Sequence, residues 1–395
     1  MHYMTKKDLI DFEMMLADKY DDGQYPYLVH LSGGNEDQLI DIFKDVQPGD
    51  YVFSTHRSHY HYLLSGGDPN FLEKLVARGK SMFVFDRRIN FYSSSILAAT
   101  AGIAAGVALA LKRKRSNKRV WCFIGDGAED EGHFFEAARY VDGWDLPCTF
   151  IVEDNNRSVN SDKIERWGTD IDYTNFQCVK RYYYTPTWPH GGTGTAGWLK
   201  FKNEQRMEQL PHKKILNLCK YSMHSTSYKD AVKISMDALA ADGVVFIGYN
   251  VKHGCAYGAL FGVPDSQKIE TPVAENLMAG LAMGMSLEGF RPVLFFERHD
   301  FIYNALDAIV NQMDRVEIIS DGQYKFPVII KAVAGGTKPF YAGVTHTSNL
   351  FKLFDQMFSF PTLEPNTAEE VISAYRAAFF HNGPVLISER KELYE

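Results

Sequence analysis

The fold prediction starts from one stretch that lies between a predicted strand and a predicted helix, namely Gly125-Asp126-Gly127-Ala128-Glu129-Asp130-Glu131-Gly132. The strand is the apolar run 119–124, the helix covers 133–144, and a second apolar strand covers 147–152. A strand, a helix and a strand within about 35 residues predict a parallel crossover unit. Such units bind ligands at the carboxyl ends of their strands. Asn155 follows the second strand, so we expect it beside the acidic stretch.

Side chains at this edge of the predicted sheet are candidate ligands of a magnesium ion. Asp126 offers a hard carboxylate oxygen and Asn155 an amide oxygen, and both suit Mg²⁺. Gly125 and Gly127 allow the backbone to approach a diphosphate, whose charge a helix N-terminus favours. A plain acidic turn that caps the helix stays open as the alternative. An EF-hand loop is excluded because Ala128 stands at its third position.

Length and composition limit the class of protein. The chain has 395 residues, of which 45% are hydrophobic and 23% charged, as in folded proteins of two or three domains. Its 42 basic and 49 acidic residues give a net charge of −7, which disfavours nucleic acid as the main partner. No apolar run reaches the about 18 residues of a membrane span. The cysteines lack a CxxC spacing and predict reduced thiols in a cytoplasmic protein; they are Cys122, Cys148, Cys178, Cys219 and Cys255.

The predicted elements form two α/β halves, each a mostly parallel sheet flanked by helices. The second half contains a helix over 272–287 that is apolar on nearly all sides, which indicates burial. A glycine-rich loop over 190–197 and a charged stretch lie between the halves. The predicted boundaries are 1–200 for the first domain, 201–226 for a linker and 227–395 for the second domain.

These motifs resemble the thiamine diphosphate-dependent E1 component of 2-oxo acid dehydrogenases, in the transketolase superfamily. Gly125-Asp126-Gly127 followed by Asn155 resembles the thiamine diphosphate signature, and His56-Arg57-Ser58-His59 resembles a segment of the E1 alpha subunit. Thr271-Pro272-Val273-Ala274-Glu275 and Gly343-Val344-Thr345-His346 resemble the beta subunit. The resemblance implies two thiamine diphosphate-binding folds fused in one chain. We also expect no C-terminal domain of the transketolase type.

In the first half, the resemblance implies a diphosphate and magnesium site. Asp126 and Asn155 are the implied side-chain ligands of the metal, and Arg157 is implied to bind it through its backbone carbonyl. Arg57 is the implied contact of the diphosphate, with a surface cation as the open alternative. The remaining implied cofactor contacts are the backbones of Gly125, Gly127 and Ala128.

In the second half, the resemblance implies that Glu275 hydrogen-bonds the aminopyrimidine ring and promotes removal of the thiazolium proton. Such an acid needs apolar surroundings to keep its proton near neutral pH, and Glu275 lies near the start of an apolar helix. Phe301 is the implied stacking face for the pyrimidine, and His346 the implied proton donor or acceptor at substrate oxygens. Taken singly, a helix-start carboxylate, a core phenylalanine and a loop histidine stay open as alternatives.

The resemblance leaves the substrate open, because the chain departs from the family on the substrate side. Ser93-Ser94-Ser95 and Tyr249-Asn250 replace family motifs, and His190 is a candidate replacement for a missing loop histidine. A lipoyl acyltransferase partner is therefore not carried over. Further candidate contacts for an acidic or hydroxylated substrate are His56, His59, His61, His299, His346 and Arg298.

The expected activity is cleavage of a carbon–carbon bond next to a carbonyl. We expect decarboxylation of a 2-oxo acid and transfer of the resulting acyl or aldehyde unit. Transketolase-like two-carbon transfer from a ketose stays open, as does a non-catalytic protein that binds the cofactor. A homodimer with its sites at the subunit interface is the simplest closed assembly.

Overall fold

The computed structural model describes residues 4–172, 175–195, 200–205, 207–218, 226–253, 258–336 and 341–394. The chain divides into two compact units. The first unit comprises Met1–Gln209 and Ile319–Gln323, and the second comprises Leu210–Ile318 and Tyr324–Glu395.

The first unit is built on a six-stranded sheet. Its strands are β1 (Tyr51–Ser54), β2 (Phe85–Asp86), β3 (Phe91–Ser93), β4 (Val120–Gly125), β5 (Cys148–Asp154) and β6 (Val179–Tyr183). Their order is β2-β3-β1-β4-β5-β6, and all neighbours pair in parallel except β2 with β3. The helices described are α1 (Lys6–Asp21), α2 (Glu36–Ile42), α3 (His59–Leu64), α4 (Pro69–Ala77), α5 (Ala99–Arg113), α6 (Asp126–Glu129), α7 (Gly132–Gly143) and α8 (Lys163–Trp167).

The centre of this sheet is buried because its strands are apolar on both faces. β5 is buried along its whole length, and β4 is buried up to Ile124, as expected for parallel strands covered by helices. Small side chains let α5 pack closely, so that it is buried from Ala99 to Leu111. The helix begins only at Ala99, because Ala98 adopts a left-handed backbone with φ of 55°.

The second unit is built on another six-stranded sheet, in which all neighbours pair in parallel. Its strands are β7 (Val245–Gly248), β8 (Lys268–Glu270), β9 (Pro292–Phe296), β10 (Ile329–Ala334), β11 (Thr362–Leu363) and β12 (Val385–Arg390). The strand order is β11-β12-β10-β9-β7-β8. The α-helices described are α9 (Tyr228–Ala241), α10 (Glu275–Leu287), α11 (Val316–Ile319), α12 (Phe351–Met357) and α13 (Ala368–Phe380).

Helix α10 is the central buried element of the second unit. All 13 of its residues are buried, as its continuous apolar sequence predicts. The helix begins at Glu275 rather than at Pro272, since Ala274 has a non-helical backbone and donates its N–H to the Pro272 carbonyl. This start places the carboxyl of Glu275 in the first turn. The two sheets together confirm the predicted α/β class.

Shorter helical turns connect these elements. The 3₁₀ turns are Arg87–Ile89, Asp265–Gln267, His299–Ala305 and Lys391–Leu393, and a π-helical turn covers Asp307–Met313. No helix in the described part of the chain is long and apolar enough to cross a bilayer. Cys122, Cys148 and Cys178 carry free thiols, whereas Cys219 and Cys255 lie outside the described residues.

Candidate functional site

The Gly-Asp-Gly stretch lies at the carboxyl end of β4, where the sequence places it. Gly125 ends the strand, and Asp126 begins α6 with only 1% of its surface exposed. The neighbouring strand β5 ends at Asp154, so Asn155 comes next to this turn. The backbone N–H of Asn155 lies 3.4 Å from Oδ1 of Asp126. The structure therefore brings the two implied metal ligands together.

The side-chain oxygen of Asn155 is a free acceptor. Its Nδ2 donates to the hydroxyl of Tyr184 at 3.3 Å, which fixes the orientation of the amide. Its Oδ1 is buried and has no hydrogen-bond partner among the described residues. Buried polar atoms are nearly always paired, and this unpaired oxygen beside a buried carboxylate is open to a further ligand.

Asp126 is held by a cation that the sequence reasoning missed. Nη2 of Arg166, in α8, lies 3.1 Å from Oδ2 of Asp126, and its Nε lies 2.9 Å from Oδ2 of Asp130. Burial, together with the charge of Asp154, raises the pKa of the Asp126 carboxyl, and Arg166 opposes this rise. No motif signals Arg166, because it contacts Asp126 only through the fold of the loop after β5.

Gly127 lies where a side chain does not fit. A Cβ on this residue would stand 2.6 Å from Oγ of Ser158 and 2.8 Å from its Cβ. The close approach of Ser158 therefore requires glycine at this position. Gly127 and Ala128 lie in the first turn of α6, where backbone N–H groups have no partner within the helix.

All the implied site residues of the first half line one cavity of about 430 Å³. They are Arg57, Gly125, Asp126, Gly127, Ala128, Asn155 and Arg157. Arg57 is half-buried, and its guanidinium donates to the carbonyls of Leu31 at 2.5 Å and Pro189 at 3.1 Å. The guanidinium of Arg157 donates to the carbonyl of Asn160, 2.7 Å away.

Three histidines also line this cavity, namely His30, His56 and His190. The candidate replacement His190 therefore lines the same cavity as Asp126. Burial lowers the pKa of His30 to about 4, and that of His56 falls well below its usual value for the same reason. The pKa of His190 is also lowered by burial and by the charge of Arg57. The sequence reasoning did not single out His30.

Other histidines that were candidate substrate contacts are enclosed in the core. His59 contacts Glu13 and Ser81, and His61 contacts Ser54 and Glu153. In the second unit, Nδ1 of His299 accepts from the backbone of Leu350 and its Nε2 contacts Ser388. Both ring nitrogens are thus occupied in each case, and the prediction of substrate contact was wrong for these three.

Glu275 occupies a buried position in the second unit. Only 5% of its surface is exposed, and it lies at the start of α10 among apolar residues. The amide Nδ2 of Asn304 donates to its Oε2 at 3.3 Å. Asn304 was not predicted, although it lies only three residues beyond Phe301, in the same 3₁₀ turn.

Phe301 and His346 contact each other in the second unit. Their ring centroids are 5.2 Å apart and their planes are nearly perpendicular, at 86°. Tyr249 packs edge-on against Phe301, with ring centroids 6.4 Å apart. Asn304, whose amide donates to Glu275, belongs to the same 3₁₀ turn as Phe301, which places Glu275 in the same neighbourhood. The implied acid, stacking face and histidine therefore lie in one region.

Comparisons with known proteins identify both halves. The family described as dehydrogenase E1 component matches residues 4–167, and the family described as transketolase, pyrimidine binding domain, matches residues 224–395. A transketolase structure from Campylobacter jejuni superposes with a TM-score of 0.70 and 15% identity, covering 98% of this chain and 78% of that one. At this identity the superposition shows a shared fold.

Curated relatives resemble the first half. The alpha subunit of acetoin:2,6-dichlorophenolindophenol oxidoreductase from Cupriavidus necator is 31% identical over 180 residues, 43% of this chain and 54% of that protein. The alpha subunit of the pyruvate dehydrogenase E1 component from Rickettsia prowazekii is 30% identical over 177 residues, 42% of this chain and 52% of that protein. The chain thus spans about half the length of these relatives. One chain thus matches the dehydrogenase E1 component family over residues 4–167 and the transketolase pyrimidine-binding family over residues 224–395, which confirms the resemblance to thiamine diphosphate-dependent E1 enzymes.

Proposed function

We propose that this chain is a thiamine diphosphate- and magnesium-dependent enzyme that decarboxylates a 2-oxo acid and transfers the resulting acyl or aldehyde unit. The observation that carries the proposal is the pairing of the buried carboxylate of Asp126 with the orphaned Oδ1 of Asn155. Two hard oxygens at one cavity wall fit Mg²⁺, which also takes backbone carbonyl, phosphate and water oxygens. The backbone carbonyl of Arg157 is the proposed third protein ligand.

The cavity of the first unit also fits a diphosphate. Its volume of about 430 Å³ is that of a small-molecule site. Gly127 and Ala128 offer backbone amides there, Gly125 leaves open space beside them, and Arg57 supplies a positive charge. We therefore propose residues 1–200 as the diphosphate and metal domain and 227–395 as the pyrimidine domain, joined by a linker over 201–226.

The chemistry divides between the cofactor and the residues of the chain. Thiamine diphosphate, when bound, supplies a carbanion that adds to a carbonyl and stabilises the charge left by bond cleavage. Arg166 holds Oδ2 of Asp126, and Oδ1, which accepts a long hydrogen bond from the backbone of Asn155 at 3.4 Å, keeps a second lone pair for the metal. Asn304 donates to Oε2 of Glu275, so Oε1 is the oxygen that we propose to face the pyrimidine nitrogen.

Phe301 and His346 complete the proposed pyrimidine side. The ring of Phe301 is held edge-on by His346 and Tyr249, which leaves it positioned to stack on a flat heterocycle. Nδ1 of His346 lies 2.8 Å from the hydroxyl of Thr345, and we propose that its Nε2 exchanges a proton with a substrate oxygen. We further propose a homodimer, to be checked by light scattering of the purified chain.

A donor screen tests the proposed reaction. The chain is incubated with thiamine diphosphate, Mg²⁺ and either 2-oxo acids or ketoses, with 2,6-dichlorophenolindophenol as electron acceptor. We expect carbon dioxide release and dye reduction with a 2-oxo acid, and neither with Glu275→Gln. Turnover of ketoses alone would replace the proposal by two-carbon transfer. Cofactor binding without turnover of any donor would indicate a non-catalytic protein.

A further inference from the structure

We propose that His30, His56 and His190 form a binding site for a divalent transition-metal ion, with Zn²⁺ as the representative ion. One nitrogen from each ring lies within 4.8 Å of the others, in the part of the chain that the structure describes. The ring centroids are 4.7 Å apart for His30 and His56, and 4.9 Å apart for His30 and His190. Small side-chain rotations bring three such nitrogens to the about 2.0 Å that separates zinc from imidazole nitrogen.

Backbone hydrogen bonds hold the segments that carry His30 and His190 next to each other. Gly192 donates its N–H to the carbonyl of Val29 at 2.7 Å, which lays the loop of His190 along the segment of His30. Gly192 has φ of 58°, and a Cβ there would stand 2.6 Å from the ring of Tyr20, so glycine permits this path. Arg57 then bridges the same two segments through its bonds to Leu31 and Pro189.

A second hydrogen bond fixes which nitrogen of His30 is available. Its Nδ1 lies 2.5 Å from the backbone carbonyl of His190, and a carbonyl only accepts, so Nδ1 carries the hydrogen. Nε2 therefore keeps its lone pair. Histidines that bind metals usually donate their other ring nitrogen to such a carbonyl, which orients the ring. All three rings have lowered pKa values, so metal binding does not have to displace a proton near neutral pH.

The ligand type selects the metal. Three imidazoles suit Zn²⁺, Co²⁺, Ni²⁺ and Cu²⁺, whereas Mg²⁺ prefers oxygen ligands such as Asp126 and Asn155. The three rings line the cavity, so a fourth coordination position opens into it. Three histidines with one open position are the pattern of catalytic zinc sites, where the open position takes water or a substrate oxygen.

The positive charge of Arg57 disfavours a cation in this cavity. Arg57 carries a positive charge that lowers the pKa of all three histidines, so it repels a bound dication in the same way. Arg57→Gln should therefore lower the Kd for Zn²⁺. Because Arg57 also bridges the two segments that carry the histidines, weaker binding counts against an ion beside these rings only when the circular dichroism and thermal midpoint of Arg57→Gln match those of the wild type.

The test uses the untagged full chain without thiamine diphosphate, so it does not depend on the proposed function. Zn²⁺ binding is measured by calorimetry, and Co²⁺ binding by the intense visible absorption of its tetrahedral complexes. We expect one ion per chain, with Kd raised by more than about 100-fold in His190→Ala and His56→Ala, since losing even an outer-sphere partner costs roughly 10–100-fold. His212→Ala, which removes an exposed histidine, serves as the control and should bind normally.

Circular dichroism and the thermal midpoint of each variant establish that it is folded. His190 lies in a half-exposed loop, so its replacement is expected to leave the sheet intact. The proposal is overturned if Co²⁺ gives only the weak absorption of an octahedral complex. It is equally overturned if folded His190→Ala binds Zn²⁺ as tightly as the control.

Discussion

Replacing Arg166 by methionine removes the guanidinium that neutralises the most buried carboxylate of the candidate metal site. The side chain of Arg166 is 12% exposed and that of Asp126 is 1% exposed, with 3.1 Å between Nη2 and Oδ2. Methionine retains the volume of the aliphatic stem but offers no hydrogen to either Asp126 or Asp130. The substitution therefore leaves a buried charge without its partner while it disturbs packing little.

The size of the effect follows from burial and distance. Two unit charges at this separation attract by about 5 kcal/mol at an effective dielectric constant near 20. Desolvation of the guanidinium offsets part of this attraction, and losing one partner of a buried pair costs about 3–5 kcal/mol in practice. Asp130 is 25% exposed, so its loss of a partner adds little. We expect the free energy of unfolding to fall by about 3 kcal/mol.

The loss in the free energy of unfolding should increase with pH. The pKa of Asp126 is already raised above its usual 3.8 in the folded chain, and removal of Arg166 raises it further. When the folded state raises the pKa of a carboxyl, the free energy of unfolding falls as the pH rises from the pKa of the unfolded state through that of the folded state. The deficit of Arg166→Met should therefore be larger at about pH 8 than at about pH 5.

Urea denaturation without Mg²⁺, in the wild-type and Asp126→Asn backgrounds, measures this loss. The deficit should shrink in the Asp126→Asn background, because the neutral amide leaves no buried charge to compensate. Arg78→Met is the matched control: Arg78 and its partner Asp321 are 58% and 40% exposed, so we expect a change below about 1 kcal/mol. Equal losses in both backgrounds would refute the assignment of Arg166 to Asp126.

Three further predictions concern the cavity, the core and the proposed catalytic acid. Gly127→Ala should weaken Mg²⁺-dependent cofactor binding by about tenfold or more in calorimetry, because its Cβ would meet Ser158 at 2.6 Å. Gly143→Ala, whose Cβ would meet nothing within 4 Å, should leave binding unchanged. Burial lowers the pKa of His299 from 6.5 to about 4, so stability should be lost as the pH falls through this window, and His299→Gln should flatten that dependence in urea titrations. Glu275→Gln should bind the cofactor yet abolish hydrogen–deuterium exchange of its thiazolium proton by NMR, and an unchanged exchange rate would identify another acid.

The central strands and helices were predictable because the apolar pattern of each segment agrees with its buried position in the fold. The strands Val120–Gly125 and Cys148–Asp154 each begin within one residue of the apolar run that predicts them, and α10 is buried on all sides as its composition indicates. The meeting of Asp126 and Asn155 was also predictable, since both follow adjacent parallel strands. Parallel pairing brings the carboxyl ends of such strands to one edge of the sheet whatever the intervening helix contains.

The surroundings of the site were not predictable from local pattern. Arg166 reaches Asp126 through a loop without hydrophobic periodicity, and His190 reaches His30 through backbone bonds between segments far apart in sequence. The glycines of the loop over 190–197 indicated an unusual backbone conformation. They did not indicate that Gly192 would hydrogen-bond Val29, which is the contact that brings the loop beside His30. His59 and His61 looked available in sequence, whereas the α3 helix turns both into the core. Contacts of this kind depend on tertiary packing, which the local sequence does not encode.

The reaction proposed for this chain requires that it bind thiamine diphosphate through a metal held by Asp126 and Asn155. Calorimetric titration of the full chain with thiamine diphosphate, once with Mg²⁺ and once with EDTA, tests it most directly. We expect saturable binding of one cofactor per chain with Mg²⁺, and its loss in EDTA and in Asp126→Ala. Binding of equal affinity with and without the metal, or no binding under either condition, would show that Asp126 and Asn155 do not hold a metal for this cofactor.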